Sequence, residues 1–178
     1  MNYLGIDPGV SGAWAIVNSA GQLVASGHFS DPSDVIGRIR TCRHIDLSPQ
    51  SPSMVACIEK VHAMPGQGVS SMFTLGENFG LWQGILHTMG IPFEMVTPAK
   101  WQRAVLDFLP EREKPAEGED EKACARRRAE NRKTLKAAIV DFVRRRFPSA
   151  PLLRKKDSDV ADAICIALYA RKQHGVMA

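Results

Sequence analysis

Short apolar runs, punctuated by glycine and proline, divide the first part of the chain. Residues 2 to 7, 10 to 18 and 22 to 29 are β-rich and separated by Pro8-Gly9 and Gly21, which predicts a meander of three strands. Asp31-Pro32-Ser33-Asp34 opens a helix to about Arg43, with Val35, Ile36 and Ile39 as its apolar stripe. After a Ser/Pro loop over 45 to 53, Met54-Val55-Ala56-Cys57-Ile58 is a continuous apolar run of the buried-strand kind, ending at Glu59. A Gly/Pro loop from Ala63 to Gly68 leads into a helix over about Val69 to Met89, and Pro92 to Val96 is another strand. Thr97-Pro98 caps a helix that points Trp101, Val105 and Leu106 inward. Residues 110 to 121, rich in Pro, Gly and Glu, read as a mobile acidic loop, and a basic helix follows to Phe147. Pro148 to Lys156 reads as a linker before a last helix from Asp157 or Ser158 to about Lys172, docked through Val160, Ile164, Ala167 and Leu168. Hairpins first and crossovers later predict one mixed α/β sheet of about five strands with helices on both faces.

The length of 178 residues favours one domain, here 1 to 178 with the insertion at 110 to 121. Hydrophobic residues at 44% and charged residues at 24% supply a core and exclude disorder throughout. No apolar run approaches the roughly 20 residues that span a bilayer, and the first residues lack the basic start of a signal peptide. Cys42, Cys57, Cys124 and Cys165 are scattered without CxxC spacing, so they read as reduced thiols of a cytoplasmic protein. The net charge of +4 hides an uneven distribution. Asp107 to Glu121 carries seven acids against Arg112 and Lys114, whereas Lys122 to Lys156 carries 13 Lys/Arg against Glu130 and Asp141. A basic block of that density suits a polyanion, although charge runs are more often solvated helix faces.

Carboxylates of another kind flank the block. Asp7 ends the first strand at the Pro8-Gly9 turn, and Glu59 ends the apolar strand. Taken alone, Asp-Pro-Gly is a good turn and Glu59 is as readily a surface strand end. Asp159 and Asp162 stand three apart, so both project from one flank of a helix's first turns. Acids there are favoured by the helix dipole in any case, and Asp157 reads as an N-cap. Together, Asp7, Glu59, Asp159 and Asp162 are an oxygen-only ligand set that suits Mg²⁺, with Mn²⁺ able to substitute. Two such ions, about 3.5–4 Å apart, activate water and stabilise a leaving oxygen in phosphodiester cleavage.

Gly5-Ile6-Asp7-Pro8-Gly9, Ile58-Glu59-Lys60-Val61 and Asp159-Val160-Ala161-Asp162-Ala163, in that order, resemble the RuvC-type Holliday junction resolvases of the RNase H-like superfamily. The stretch from Glu59 to Ser71, followed by Leu75-Gly76 and Gly80, is similar to phage-borne members. The resemblance implies an RNase H-like sheet, a homodimer and metal-dependent cutting of two opposed strands at a four-way DNA junction. Catalytic and metal-binding roles carry over to Asp7, Glu59, Asp159 and Asp162. Lys133 stands near the family's DNA-contacting lysine, with Lys100 a looser match. Arg132 and Lys136 of the basic block join them as phosphate contacts, and Ser70 and Ser71 as further DNA-binding residues. His62 takes the place of the family's junction-probing aromatic. The long loop after Glu59 and the acidic insertion depart from the bacterial pattern.

Three rivals separate on simple grounds. A sugar-kinase or actin-like ATPase could use Gly5 to Gly12 for phosphate but needs two domains and roughly twice this length. A non-catalytic junction binder has no use for four acids, which oppose DNA binding without metal. Another RNase H-like nuclease, acting on flaps, forks or RNA precursors, differs only in substrate. Gly76, Gly80 and Gly84 recur every four residues, leaving one smooth flank on a helix. Each costs about 1 kcal/mol relative to Ala, which points to close approach by a backbone of this chain or of a second copy.

Overall fold

The computed structural model describes residues 1–9, 11–29, 32–42, 53–61, 68–152 and 157–175. The strands are β1 (Asn2–Asp7), β2 (Ala13–Asn18), β3 (Leu23–His28), β4 (Met54–Glu59) and β5 (Phe93–Val96). The helices are α1 (Pro32–Cys42), α2 (Val69–Thr88), α3 (Pro98–Val105), α4 (Glu121–Arg146) and α5 (Ser158–His174). One sheet runs in the order β3-β2-β1-β4-β5. The meander β1-β2-β3 is antiparallel, and the crossover strands β4 and β5 join β1 in parallel. The predicted mixed sheet with helices on both faces is the observed one.

Alternation along the strands divides the core in two. Leu4, Ile6, Trp14, Ile16, Met54, Ala56 and Ile58 face α1 and α2, where Val35, Ile39, Trp82 and Leu86 meet them. Tyr3, Ala13, Ala15, Val17 and Cys57 face α5, with α3 and α4 contributing Trp101, Ile139 and Val143. A single apolar stripe on α5 was the expectation. Instead every residue from Ala163 to Ala170 is buried, because α3 and α4 cover the side that the sheet does not. Gly5 allows this contact. A Cβ there would collide with the Ala163 carbonyl and the Ala167 amide of α5, so the helix lies directly on β1.

The second strand starts at Ala13, later than the apolar run suggests, because Gly12 turns the chain at φ 47° before it. Residues 110 to 120 form neither helix nor strand, but they are fastened to α4. The Glu113 amide donates to Asn131 Oδ1 at 2.9 Å, and Asn131 Nδ2 donates back to the Glu113 carbonyl at 3.1 Å. Asp120 caps α4 by accepting from the Ala123 amide at 2.7 Å. Among the described residues, no helix is long and apolar enough to cross a membrane. The four cysteines are unpaired.

Candidate active site

Strand parity brings the first two acids together. Gly5 and Cys57 are paired neighbours on the α5 side, so Asp7 and Glu59, two residues further on, end adjacent parallel strands on that same side. The first turns of α5 lie over these strand ends. Ligand oxygens of Asp7, Asp159 and Asp162 all lie within 4.8 Å of one another. The Gly9 amide holds Asp7 Oδ1 at 3.0 Å, and Asn78 of α2 steadies that turn through the Gly9 carbonyl at 2.9 Å. Glu59 stands beside the trio, its Oε1 accepting from the Trp101 indole at 2.8 Å.

The electrostatics are strained in one direction. Burial, then the charges of Glu59 and Asp159, push the Asp7 carboxyl up to about 7. Burial and the charges of Asp7 and Glu59 lift Asp162 well above the carboxylate range. Burial also raises Glu59, although the Trp101 hydrogen bond opposes it. Asp159 goes the other way. Burial works against its charge, yet the Ser11 hydroxyl, donating to Oδ2 at 2.6 Å, and the Lys136 ammonium outweigh that and hold it low. Lys136 Nζ lies 3.2 Å from Asp159 Oδ1 and 3.3 Å from Ser158 Oγ. Four carboxyl groups therefore share one ammonium among the described residues. Among the described residues, Asp162 Oδ1 is buried without a hydrogen-bond partner. An orphaned, hard oxygen among crowded carboxylates is the donor chemistry of a divalent-cation site, so the residues fit Mg²⁺ or Mn²⁺.

The basic residues divide. Lys136 reaches the acids, while Lys133 points to solvent and pairs with Glu130 at 3.3 Å. Arg132 is exposed on α4, and Ser70 and Ser71 are exposed on the first turn of α2. Lys100 sits 5.6 Å over the Tyr169 ring. His62 lies outside the described residues. Asp157 stands at the start of α5, but its side chain makes no capping bond to the helix. It is buried and pairs with His28 Nε2 at 3.0 Å, because a strand neighbour offers a better partner than the helix amides. Sequence reasoning missed Asn78 and His28, weighed Ser11 only as part of a phosphate-cradling turn, and placed Trp101 only as core. An indole N–H at a buried position needs an acceptor, which was the available signal.

No protein-family model matches the chain, and no curated protein matches it in sequence. In three dimensions, it aligns with T. thermophilus RuvC in complex with a Holliday junction substrate. That match covers 97% of this chain and 96% of that one, with a TM-score of 0.55 and 19% identity. A second Thermus thermophilus RuvC structure matches over 97% of both chains, with a TM-score of 0.51 and 19% identity. The fold is RuvC-like. In this RuvC-like frame, the three converging aspartates come from β1 and α5, whose backbones touch at Gly5.

Proposed function

We propose that this chain is a metal-dependent endodeoxyribonuclease that resolves four-way DNA junctions by phosphodiester hydrolysis, in recombination, repair or phage DNA processing in the cytoplasm. The observation that carries this reading is the convergence of Asp7, Asp159 and Asp162, with Glu59 beside them, next to a basic helix in a RuvC-like fold. These four residues would hold Mg²⁺, two ions per site, with Mn²⁺ able to replace it. Bound there, a divalent ion supplies an activated water and charge stabilisation for the leaving oxygen. Ser11 keeps Asp159 ionised and aimed inward, and Trp101 orients Glu59. Lys136 neutralises Asp159 and leaves the remaining negative charge on Asp7, Glu59 and Asp162. Arg132, Lys133 and Lys136 would meet phosphates, with Lys100, His62, Ser70 and Ser71 as further DNA contacts. A RuvC-like structure that holds a Holliday junction substrate supports branched DNA as the ligand.

Cutting two opposed strands calls for two sites, and the reading therefore includes a homodimer. The α2 flank supports it. Apart from their chain neighbours and the helix's own backbone, no atom among the described residues lies within 4 Å of where a Cβ at Gly76, Gly80 or Gly84 would stand. Val69 and Phe73 on the same helix are 81% and 68% exposed. Gly80→Leu should fold and sediment as a monomer, whereas a folded dimer would remove α2 from the interface.

The deciding experiment offers a synthetic four-way junction beside flap, fork, duplex and RNA–DNA hybrid substrates, with and without Mg²⁺. Paired, Mg²⁺-dependent incisions in the junction are the expected result. Faster cutting of a flap, fork or hybrid would move the assignment to another RNase H-like nuclease.

A further inference from the structure

Beside α4, on the side where the acidic segment docks, lies a cavity of about 330 Å³ lined by Arg112, Arg127, Arg128 and Arg132 with Asn131 and Glu113. Arg127 is committed. Its Nε and Nη2 hold Glu119 at 3.0 and 2.7 Å, and its Nη1 reaches the Glu113 carbonyl at 3.3 Å. The other three guanidinium groups have no hydrogen bond or ion pair among the described residues, although the Arg128 charge does act on Glu119. Glu113 contributes one negative charge to the lining, but its fastening to Asn131 runs through its backbone.

Like charges collected around one concavity repel, and a chain gathers them when an anion belongs between them. Arg128 and Arg132 stand four residues apart on one ridge of α4, and Lys136 is four further on. The ridge therefore runs from the cavity to the carboxylates over about 12 Å. Arg112 faces the ridge from the docked segment, which Glu119 and Asn131 hold in place. We infer that Arg112, Arg128 and Arg132 form a phosphate clamp for the DNA backbone outside the cleavage site, with the acidic segment serving as the arm that carries Arg112. The clamp rests on the nuclease reading for its ligand. Its geometry makes residues 110 to 120 part of the binding surface, with Glu119 as the positioning residue.

The test measures binding of an immobile four-way junction and of a linear duplex at several salt concentrations, without divalent cation. Arg112→Ala/Arg128→Ala should bind about tenfold or more weakly, and its log–log salt slope should fall by roughly 0.9 for each lost phosphate contact. Arg112→Lys/Arg128→Lys should restore most of the slope. Because both side chains are exposed, a thermal melt should show each variant folded as wild type. If wild type binds and the alanine variant keeps its affinity and slope, the clamp is wrong and the nuclease reading stands. If wild type binds neither DNA even at the lowest salt, the clamp is wrong, and Mg²⁺-dependent cleavage alone then decides the nuclease reading. If the variants behave as expected on DNA that the enzyme never cuts, the clamp stands and the nuclease reading fails.

Discussion

At the start of α5, Asp159 and Asp162 meet Asp7 and Glu59 around one ammonium among the described residues, that of Lys136. On the segment beside α4, Glu119 is gripped through both of its oxygens by Arg127, whose Nε donates to Oε1 and Nη2 to Oε2. The first set pushes the carboxyls of Asp7 and Asp162 up, and the second holds Glu119 below its ordinary range through the Arg127 hydrogen bonds. The acid-rich segment is thus electrostatically at rest, with most of its carboxylates in solvent. The frustrated acids are few, and they are contributed by β1, β4 and α5. Local density of charge is a poor guide to a reactive site, and convergence of unpaired charge is a better one.

The strongest way to break this contrast is to remove the frustrated acids singly. Asp7→Asn, Glu59→Gln, Asp159→Asn and Asp162→Asn should each lower junction cleavage by more than about a hundredfold while junction binding stays largely intact. Any one of them that cleaves near normally at limiting Mg²⁺ is not a ligand. The neighbours that aim these acids come next. Trp101→Phe and Ser11→Ala should each cost about 10- to 100-fold, with the loss shrinking as Mg²⁺ is raised, since they act through ligand orientation. A loss that Mg²⁺ leaves unchanged would show that they act elsewhere.

Much of this was legible in the sequence, for definite reasons. The strand ends at Asp7 and Glu59 are marked by buried-type runs that stop on an acid, and period-two alternation then determines which face they share. Asp159 and Asp162 follow from helical spacing. Other features depend on long-range packing that local pattern does not encode. A stripe-bearing helix and one buried all round look alike until α3 and α4 are seen to cover α5. Lys133 and Lys136 are equivalent in composition, and only the rotation of α4 against α5 decides that Lys136 reaches Asp159. The reach of Asp157 to His28 likewise needs β3 beside the start of α5.

The same contrast predicts opposite pH behaviour. Metal-free, the fold keeps a proton on Asp7 up to about pH 7, whereas an unfolded chain releases it near 3.8. The stability this proton confers is complete below the unfolded value and is lost as pH rises through about 7. In EDTA, wild type should therefore weaken between about pH 4 and 7 relative to Asp7→Asn, by an amount on the order of a few kcal/mol. Thermal melts of both proteins across that range measure it. Parallel curves would mean that Asp7 is not frustrated in the fold, and the site would lose its electrostatic case for a cation.

The smallest expected effects belong to the acid-rich segment. Glu117 is exposed, and no hydrogen bond or ion pair holds its side chain among the described residues. Glu117→Gln should therefore shift the melting temperature by no more than about 2 °C, with no change in its pH dependence. Glu119→Gln removes a partly buried ion pair yet keeps a hydrogen-bonding side chain of the same shape. It should lower the melting temperature slightly more than Glu117→Gln does, and because Glu119 is held below its ordinary value, the difference should close as pH falls through the carboxylate range. That is the reverse of the Asp7 behaviour, because here the fold favours the charged form. If Glu119→Gln instead gained stability relative to wild type at neutral pH, Glu119 would be frustrated as Asp7 is. The two acidic regions would then differ only in exposure and not in how their charges are paired.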